Sequence, residues 1–299
     1  SGQTNVHKNW TVVSGLFIAN RGTVCFKGFS SIDVPAVTDF TNVSVDCPDW
    51  SAVKVSDDDT LVINGNLQLV NGRLDGGKLL SRGNVSVANE WDGGNSTLEF
   101  IGQGQQQITG PGTYAGLVIV NKPDSVVLTA GTVDLGLTGG IRLKQGTLQS
   151  TAATLRIGGE ITQQDGRFDH AGGTVETATA TTIKCANLSL FRFKVNTSDS
   201  EVTFLRMLSG RPLPVHGLLQ LSNGILRADS GVEAFGDVEL SPLFDGMDAP
   251  LTIGGNTAQL MSANGGTGVL LKNLIISKIK SLTDAESSSA SVRLLRQPK

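Results

Sequence analysis

Cleaving a glycosidic bond, or abstracting a proton from a sugar, requires acidic side chains that converge with a basic one. The acidic candidates here are Glu99 and Glu176, each at an equivalent place in a short stretch where apolar and polar residues alternate. Other positions expected to point outward from such stretches are Gln68, Ser86, Ser189, Glu239 and Thr252, with Val118 and Ile275 falling among them. That set is mixed rather than convergent. Both glutamates are therefore expected on solvated strand faces, and no catalytic residue is assigned.

Metal chemistry has two candidate places. Asp57-Asp58-Asp59 offers oxygen ligands of the kind calcium takes, but no Gly-Gly-x-Gly-x-Asp repeat accompanies it and a charged turn is expected. Asp165, Asp169 and His170 gather near another turn. With histidine only at positions 7, 170 and 216, a surface turn is the expectation there rather than a zinc site. No metal or cofactor is implied. Three cysteines cannot build a disulfide framework; Cys25, at an outward strand position, and Cys47, just past a strand, are the pair considered, and free, partly buried thiols are expected. Asn-x-Ser/Thr sequons stand at Asn9, Asn42, Asn84, Asn95, Asn187 and Asn196. Asn after a turn followed by an outward Ser or Thr is also ordinary strand grammar, so these do not require a glycan.

Composition narrows the partners. A net charge of -3 with no dense Lys/Arg run gives no electrostatic footprint for nucleic acid or anionic lipid. No stretch reaches the ~18 apolar residues needed to span a bilayer as a helix. The start, Ser1-Gly2-Gln3, lacks a basic flank and an apolar run, so a mature or trimmed chain is expected.

The positioning elements come from an internal repeat. Gly65-Asn-Leu-Gln-Leu-Val-Asn-Gly-Arg-Leu74 recurs as Gly140-Ile-Arg-Leu-Lys-Gln-Gly-Thr-Leu148 and as Gly217-Leu-Leu-Gln-Leu-Ser-Asn-Gly-Ile-Leu226. Three more blocks follow each copy in the same order, beginning at Arg82, Gly158 and Phe235, at Ser96, Gly173 and Pro250, and at Gly116, Asn187 and Asn273. An incomplete first copy holds Thr23-Val-Cys-Phe26 and Asn42-Val-Ser-Val45. The unit is about 75 residues long, with boundaries near 15–60, 61–135, 136–212 and 213–282.

Within the blocks, Leu67-Gln68-Leu69, Val85-Ser86-Val87, Leu98-Glu99-Phe100 and Val238-Glu239-Leu240 alternate at period two, which predicts short half-buried strands. Asn71-Gly72, Gly76-Gly77, Gly93-Gly94, Asn223-Gly224 and Gly254-Gly255 supply turns between them. No long window carries helical apolar periodicity. The expected fold is all-β, a parallel β-helix or β-solenoid with several rungs per unit and an aliphatic core. A β-sandwich array is the alternative, disfavoured by the glycine content and the single tyrosine, Tyr114; a propeller would need a shorter repeat.

The words at 65–74 and at Leu98-Glu-Phe-Ile-Gly-Gln-Gly-Gln-Gln-Gln-Ile-Thr-Gly110 resemble the repetitive β-solenoid regions of bacterial surface and secreted proteins, such as filamentous-haemagglutinin-like and autotransporter-like adhesins. The resemblance implies an exported, non-catalytic structural or adhesive module whose partners are cell-surface glycans or other surface proteins. The alternatives are a carbohydrate-active β-helix protein, either lyase, hydrolase or binder, and a phage-tail or assembly scaffold. Residues 1–14 are expected to cap the first rung of a continuous solenoid over 15–282, or the native protein continues beyond one end, with end-to-end self-association as the consequence. Residues 283–299 read as a polar tail. Arcs 208–216 and 245–257 depart most from the pattern and are expected to project as loops.

Overall fold

The computed structural model describes residues 2–14, 17, 20–34, 37–48, 50–123, 127–198, 200–263, 271–278 and 292–296. They fall into two compact units, Ser1–Leu155 with Gln163–Asp169, and Arg156–Thr162 with His170–Lys299. Among the described residues there is no helix. The chain is a β-solenoid of about 12 turns, with parallel strands pairing from coil to coil.

One path through the first unit shows how the sequence makes a coil. Asn42–Asp46, Ala52–Val55 and Thr60–Ile63 form three sides; the next coil returns as Leu67–Asp75, which covers two sides, and Lys78–Ser81. Val43 then pairs with Leu67, Val53 with Leu74, and Leu61 with Leu79, so inward aliphatic residues stack on inward aliphatic residues. The following coil, Val85–Val87, Trp91–Gly93 and Thr97–Phe100, repeats the arrangement. Because side chains alternate between faces, a slip of one residue would expose every apolar group, and this pins the register. Fully buried Phe26, Phe40 and Phe100 each contribute about 2–3 kcal/mol by leaving water.

The sequence repeat is not a whole number of coils. Thr23–Phe26 lies in the same sheet as Asn42–Asp46 and Leu67–Asp75, whereas its counterpart Thr97–Phe100 pairs with Lys78–Ser81 and Val118–Asn121 on another side. Equivalent residues therefore step around the first unit instead of forming one longitudinal row.

Glycine permits the closest approach between coils. A Cβ on Gly83 would stand 2.1 Å from the Gly65 carbonyl oxygen, and one on Gly236 would stand 1.6 Å from that of Gly217. Gly65 and Gly217 open two copies of the first repeated block, Gly83 and Gly236 are second in the block that follows, and only a residue without a side chain fits there.

Several expectations are revised. Val118 faces inward, opposite Leu98 and Ile141, and Ile119 takes the outward place beside Glu99; the alignment of that block by its glycine was one residue out. Most of 245–257 is strand: Phe244–Ile253 pairs with Leu219–Ala228, Val232–Ala234 and Leu271–Ile276, with register irregularities around Gly246 and Pro250 absorbing the odd sequence. The arc after Val202–Met207 does turn outward, with Leu208 exposed and Gly210 at φ 70°. At the start, Gln3–Val6 pairs with Thr23–Phe26 and Trp10 packs on Phe17 and Phe40 with centroids 4.9 and 5.8 Å apart. Within the segment read as a tail, Val292–Arg296 is a strand on Gln259–Ala263, while 279–291 and 297–299 lie outside the described residues.

Candidate functional site

Glu99 is a carboxylate that meets two basic groups. It points outward from Thr97–Phe100, yet it is only 3% exposed. The outward neighbours in adjacent coils are Leu80 and Ile119, and long polar side chains from flanking strands close over it. Lys78 Nζ lies 2.5 Å from one carboxylate oxygen; Lys144 Nζ at 3.3 Å and Asn121 Nδ2 at 2.7 Å reach the other. Burial pushes the Glu99 carboxyl up, but hydrogen bonds from Lys78 and Asn121 and the charges of Lys78 and Lys144 outweigh it, leaving the group below the ordinary carboxylate range. A carboxylate held in that state is ionised and surrounded by cations, which suits an anchor between coils and not an acid that must deliver a proton.

Glu176 repeats the constellation in the second unit. Lys194 Nζ at 3.1 Å and Asn196 Nδ2 at 2.7 Å meet one oxygen, and Arg156 Nε lies 3.8 Å from the other. The glutamates expected on solvated faces are thus both buried, because each lies among the side chains of adjacent coils and is neutralised there. The incomplete first copy has Cys25 in the place of the glutamate and Asp46 in the place of the asparagine, and Lys27 pairs with Asp46. The carboxylate has moved by one coil and the ion pair between coils is kept.

A second set of polar side chains turns inward at the corners. Cys47 Sγ is 3.4 Å from the carbonyl oxygens of Phe26 and Gly28, Gln106 Nε2 donates to Ser81 and Gly83, and Gln259 Nε2 donates to Ala234 and Gly236. Lys122 is wholly buried in the same role: its Nζ donates to the Gly102 and Gly104 carbonyls, both at 2.9 Å, and to Gln106 Oε1. Burial pulls its amine down to about 8. Each of these corners gathers carbonyls on which a side chain from the next coil converges, adding to the backbone N–H groups of Ile101 and Gly254 that reach Ser81 and Ala234.

The remaining sequence candidates are dispersed. Asp59 is buried and accepts from Val34 N at 3.0 Å, while Asp57 and Asp58 are exposed. Asp165 N donates to Lys144 O, and Asp165, Arg167, Gln145 and Gly146 line a cavity of about 380 Å³. Asp169 accepts from Gln149. In the second unit, His170 Nδ1 accepts from Gly172 N and its ring stacks on Phe191 at 5.8 Å. Among the described residues no group of three or more His, Cys, Asp or Glu could hold a metal ion. Sequon residues Asn9, Asn42 and Asn84 spend their side-chain oxygens on the backbone N–H groups of Ser31, Asn66 and Gln107 in neighbouring coils. Cys25, Cys47 and Cys185 are free and buried.

One feature escaped the sequence reading. Val45-Asp-Cys-Pro-Asp-Trp50, Val120-Asn-Lys-Pro-Asp-Ser125 and Val195-Asn-Thr-Ser-Asp-Ser200 are copies of one corner word, each 75 positions from the next. In the first and third, Trp50 and Ser200 hold φ of 60° and 65°. Trp50 N donates to Asp92 Oδ2 at 2.9 Å and Ser200 N donates to Asp245 Oδ2 at 2.9 Å. The aspartates belong to Trp91-Asp-Gly93 and Phe244-Asp-Gly246, themselves equivalent, whose aromatic residues pair opposite Gly72 and Gly224. The recurring aspartate and glycine carry the signal. It was hidden because the two words lie more than 40 residues apart and meet only when coils stack.

No protein-family model, curated protein or solved structure matches this chain.

Proposed function

We propose that this protein is a non-catalytic structural or adhesive β-solenoid module, displayed at a cell surface or secreted. The observation that carries the reading is the fate of Glu99 and Glu176. The two acidic groups best placed to work with basic partners occur as duplicates, and each is spent on tying coils together. An active site is ordinarily one constellation open to substrate, whereas an element copied with the repeat serves the repeat. The polar corners support the same reading, since a long stack of coils whose carbonyls are satisfied from within offers its outer surface to a partner.

Exposed Leu274, Ile275 and Ile276 on the strand Leu271–Ile276 add the prospect of association between copies, or with another protein, at that strand. The test combines an attachment assay and a turnover screen. Beads coated with the full chain should bind cells or glycan-coated surfaces, and incubation with plant, algal and bacterial polysaccharides should release no oligosaccharides. Release of unsaturated or reducing sugars would replace this reading with a carbohydrate-active enzyme.

A further inference from the structure

We infer that Trp50 is a sugar-stacking residue and that the turn presenting it is a binding site for neutral glycans; the inference rests on the adhesive reading above and names the site that would serve it. Trp50 is 72% exposed at the tip of a turn, with its backbone in the left-handed region. That conformation costs a non-glycine residue about 1–2 kcal/mol, and a side chain in water recovers none of it by burial. Single exposed apolar residues are common, but they are not ordinarily placed at a strained position and clamped there.

The fold does not ask for tryptophan at this place. The equivalent residue in the second unit is Ser200, which has the same positive φ and the same aspartate cap from two coils further along. The turn is therefore complete with a small polar residue. Trp50 adds an indole face to it, and Asp92 holds the backbone of the turn through the Trp50 N–H.

The surroundings choose the ligand class. Arg73 N donates to Ser51 O beside the turn, and the Arg73 guanidinium is held by Asp75 at 2.6 Å and lies in the field of Asp92. Asn95 continues the polar rim, donating its N–H to Asp75. An exposed indole on a turn tied to Asp92 and, through Ser51, to Arg73 with its partner Asp75 matches a pyranose: the ring's C–H groups carry partial positive charge toward the negative π face, and its hydroxyls can meet the charged groups carried by the neighbouring coils. A protein partner would need an apolar core within a patch of ~800 Å² per side. Among the described residues, Pro48 and Ser51 beside the tryptophan do not supply that core; exposed Phe29 and Val70 lie on the coils to either side. Two carboxylates against one guanidinium also repel acidic sugars, which selects neutral chains.

The experiment is a titration of the full chain with neutral oligomers of glucose, galactose, mannose and N-acetylglucosamine, with polygalacturonate and heparin as acidic comparators, read by tryptophan fluorescence and calorimetry. At least one neutral oligomer should bind and perturb the emission. Trp50→Ser, the residue the fold already accepts at the equivalent turn, should weaken that binding tenfold or more with an unchanged melting temperature, and Trp50→Phe should retain most of it. The proposal is overturned if Trp50→Ser binds as wild type, if only the acidic comparators bind, or if no neutral oligomer binds. Cell attachment that survives in Trp50→Ser would remove this site and leave the adhesive reading standing; wild-type protein that attaches to neither cells nor glycans would remove both.

Discussion

Lys122→Met should separate the stability of the two proteins progressively as pH rises from 8 to 10. The amine is buried, its ordinary value is 10.5, and burial brings it to about 8. In the unfolded chain the lysine regains its ordinary value. Below pH 8 both states carry the proton and the cost of burying the charge is constant. Between pH 8 and 10.5 the folded state releases its proton first, so the unfolded state binds more protons and stability rises with pH. The gap corresponds to a total of about 3 kcal/mol.

Methionine fills nearly the same volume but cannot donate to Gly102, Gly104 or Gln106, which costs about 1–3 kcal/mol at any pH. Other groups titrate in the same range: burial raises the Tyr114 hydroxyl, and raises the Cys47 thiol to about 11. These are present in both proteins and cancel in the difference. Trp10, Trp50 and Trp91 all belong to the first unit, so urea unfolding followed by tryptophan fluorescence reports on the unit that contains Lys122. The stability of wild type minus that of Lys122→Met should grow by about 2.5 kcal/mol between pH 7 and 10. A difference that stays constant across that range would show that the three acceptors hold the ammonium charged, and would refute the argument from burial.

Glu99→Gln should destabilise the first unit by about 1–2 kcal/mol at pH 7, since it removes the counter-charge of Lys78 and Lys144, whose ammonium groups keep access to water. Because the native carboxyl is held below its ordinary range, its contribution is present above the unfolded value and is lost as pH falls through the folded one; urea midpoints from pH 6 to 3 should therefore fall less steeply in Glu99→Gln than in wild type. Gly83→Ala should cost about 3 kcal/mol or more, because the new Cβ meets the Gly65 backbone and no flexible side chain can yield; tryptophan-monitored unfolding measures it, and a loss under about 1 kcal/mol would mean that the coils separate easily. Ile276→Lys should reduce any concentration-dependent rise in mass seen by light scattering, and a rise of equal size in the variant would place association elsewhere.

The fold was readable because its rules are local. Alternation in Leu67-Gln68-Leu69 and Val85-Ser86-Val87 states which residues face inward, and each burial pattern agrees. Gly65, Gly83, Gly217 and Gly236 mark corners where coils approach too closely for a side chain. Val118 is the exception, because Gly116 stands at the edge of its block and is out of register by one residue with the inward positions.

The candidate site was less legible. Period two places Glu99 outward, and from a single strand outward means solvated. Whether an outward carboxylate is wet or buried depends on Lys78, Asn121 and Lys144, which arrive from three other strands. The meeting of Trp50 with Asp92 is of the same kind, a contact across two coils.

What the sequence by itself determined, then, is the architecture: short strands, glycine corners and a repeat near 75 residues are each written within a few neighbouring positions and need no distant partner to be recognised. Only the tertiary structure decided that this repeat is not a whole number of coils, that its glutamates are clamps, and that one corner carries an exposed tryptophan where its sister carries serine. The physical reason is that inward and outward are properties of one strand, whereas burial, charge neutralisation and presentation are properties of the stack. In a parallel solenoid, residues about 20 positions apart lie only ~4.8 Å apart across the sheet.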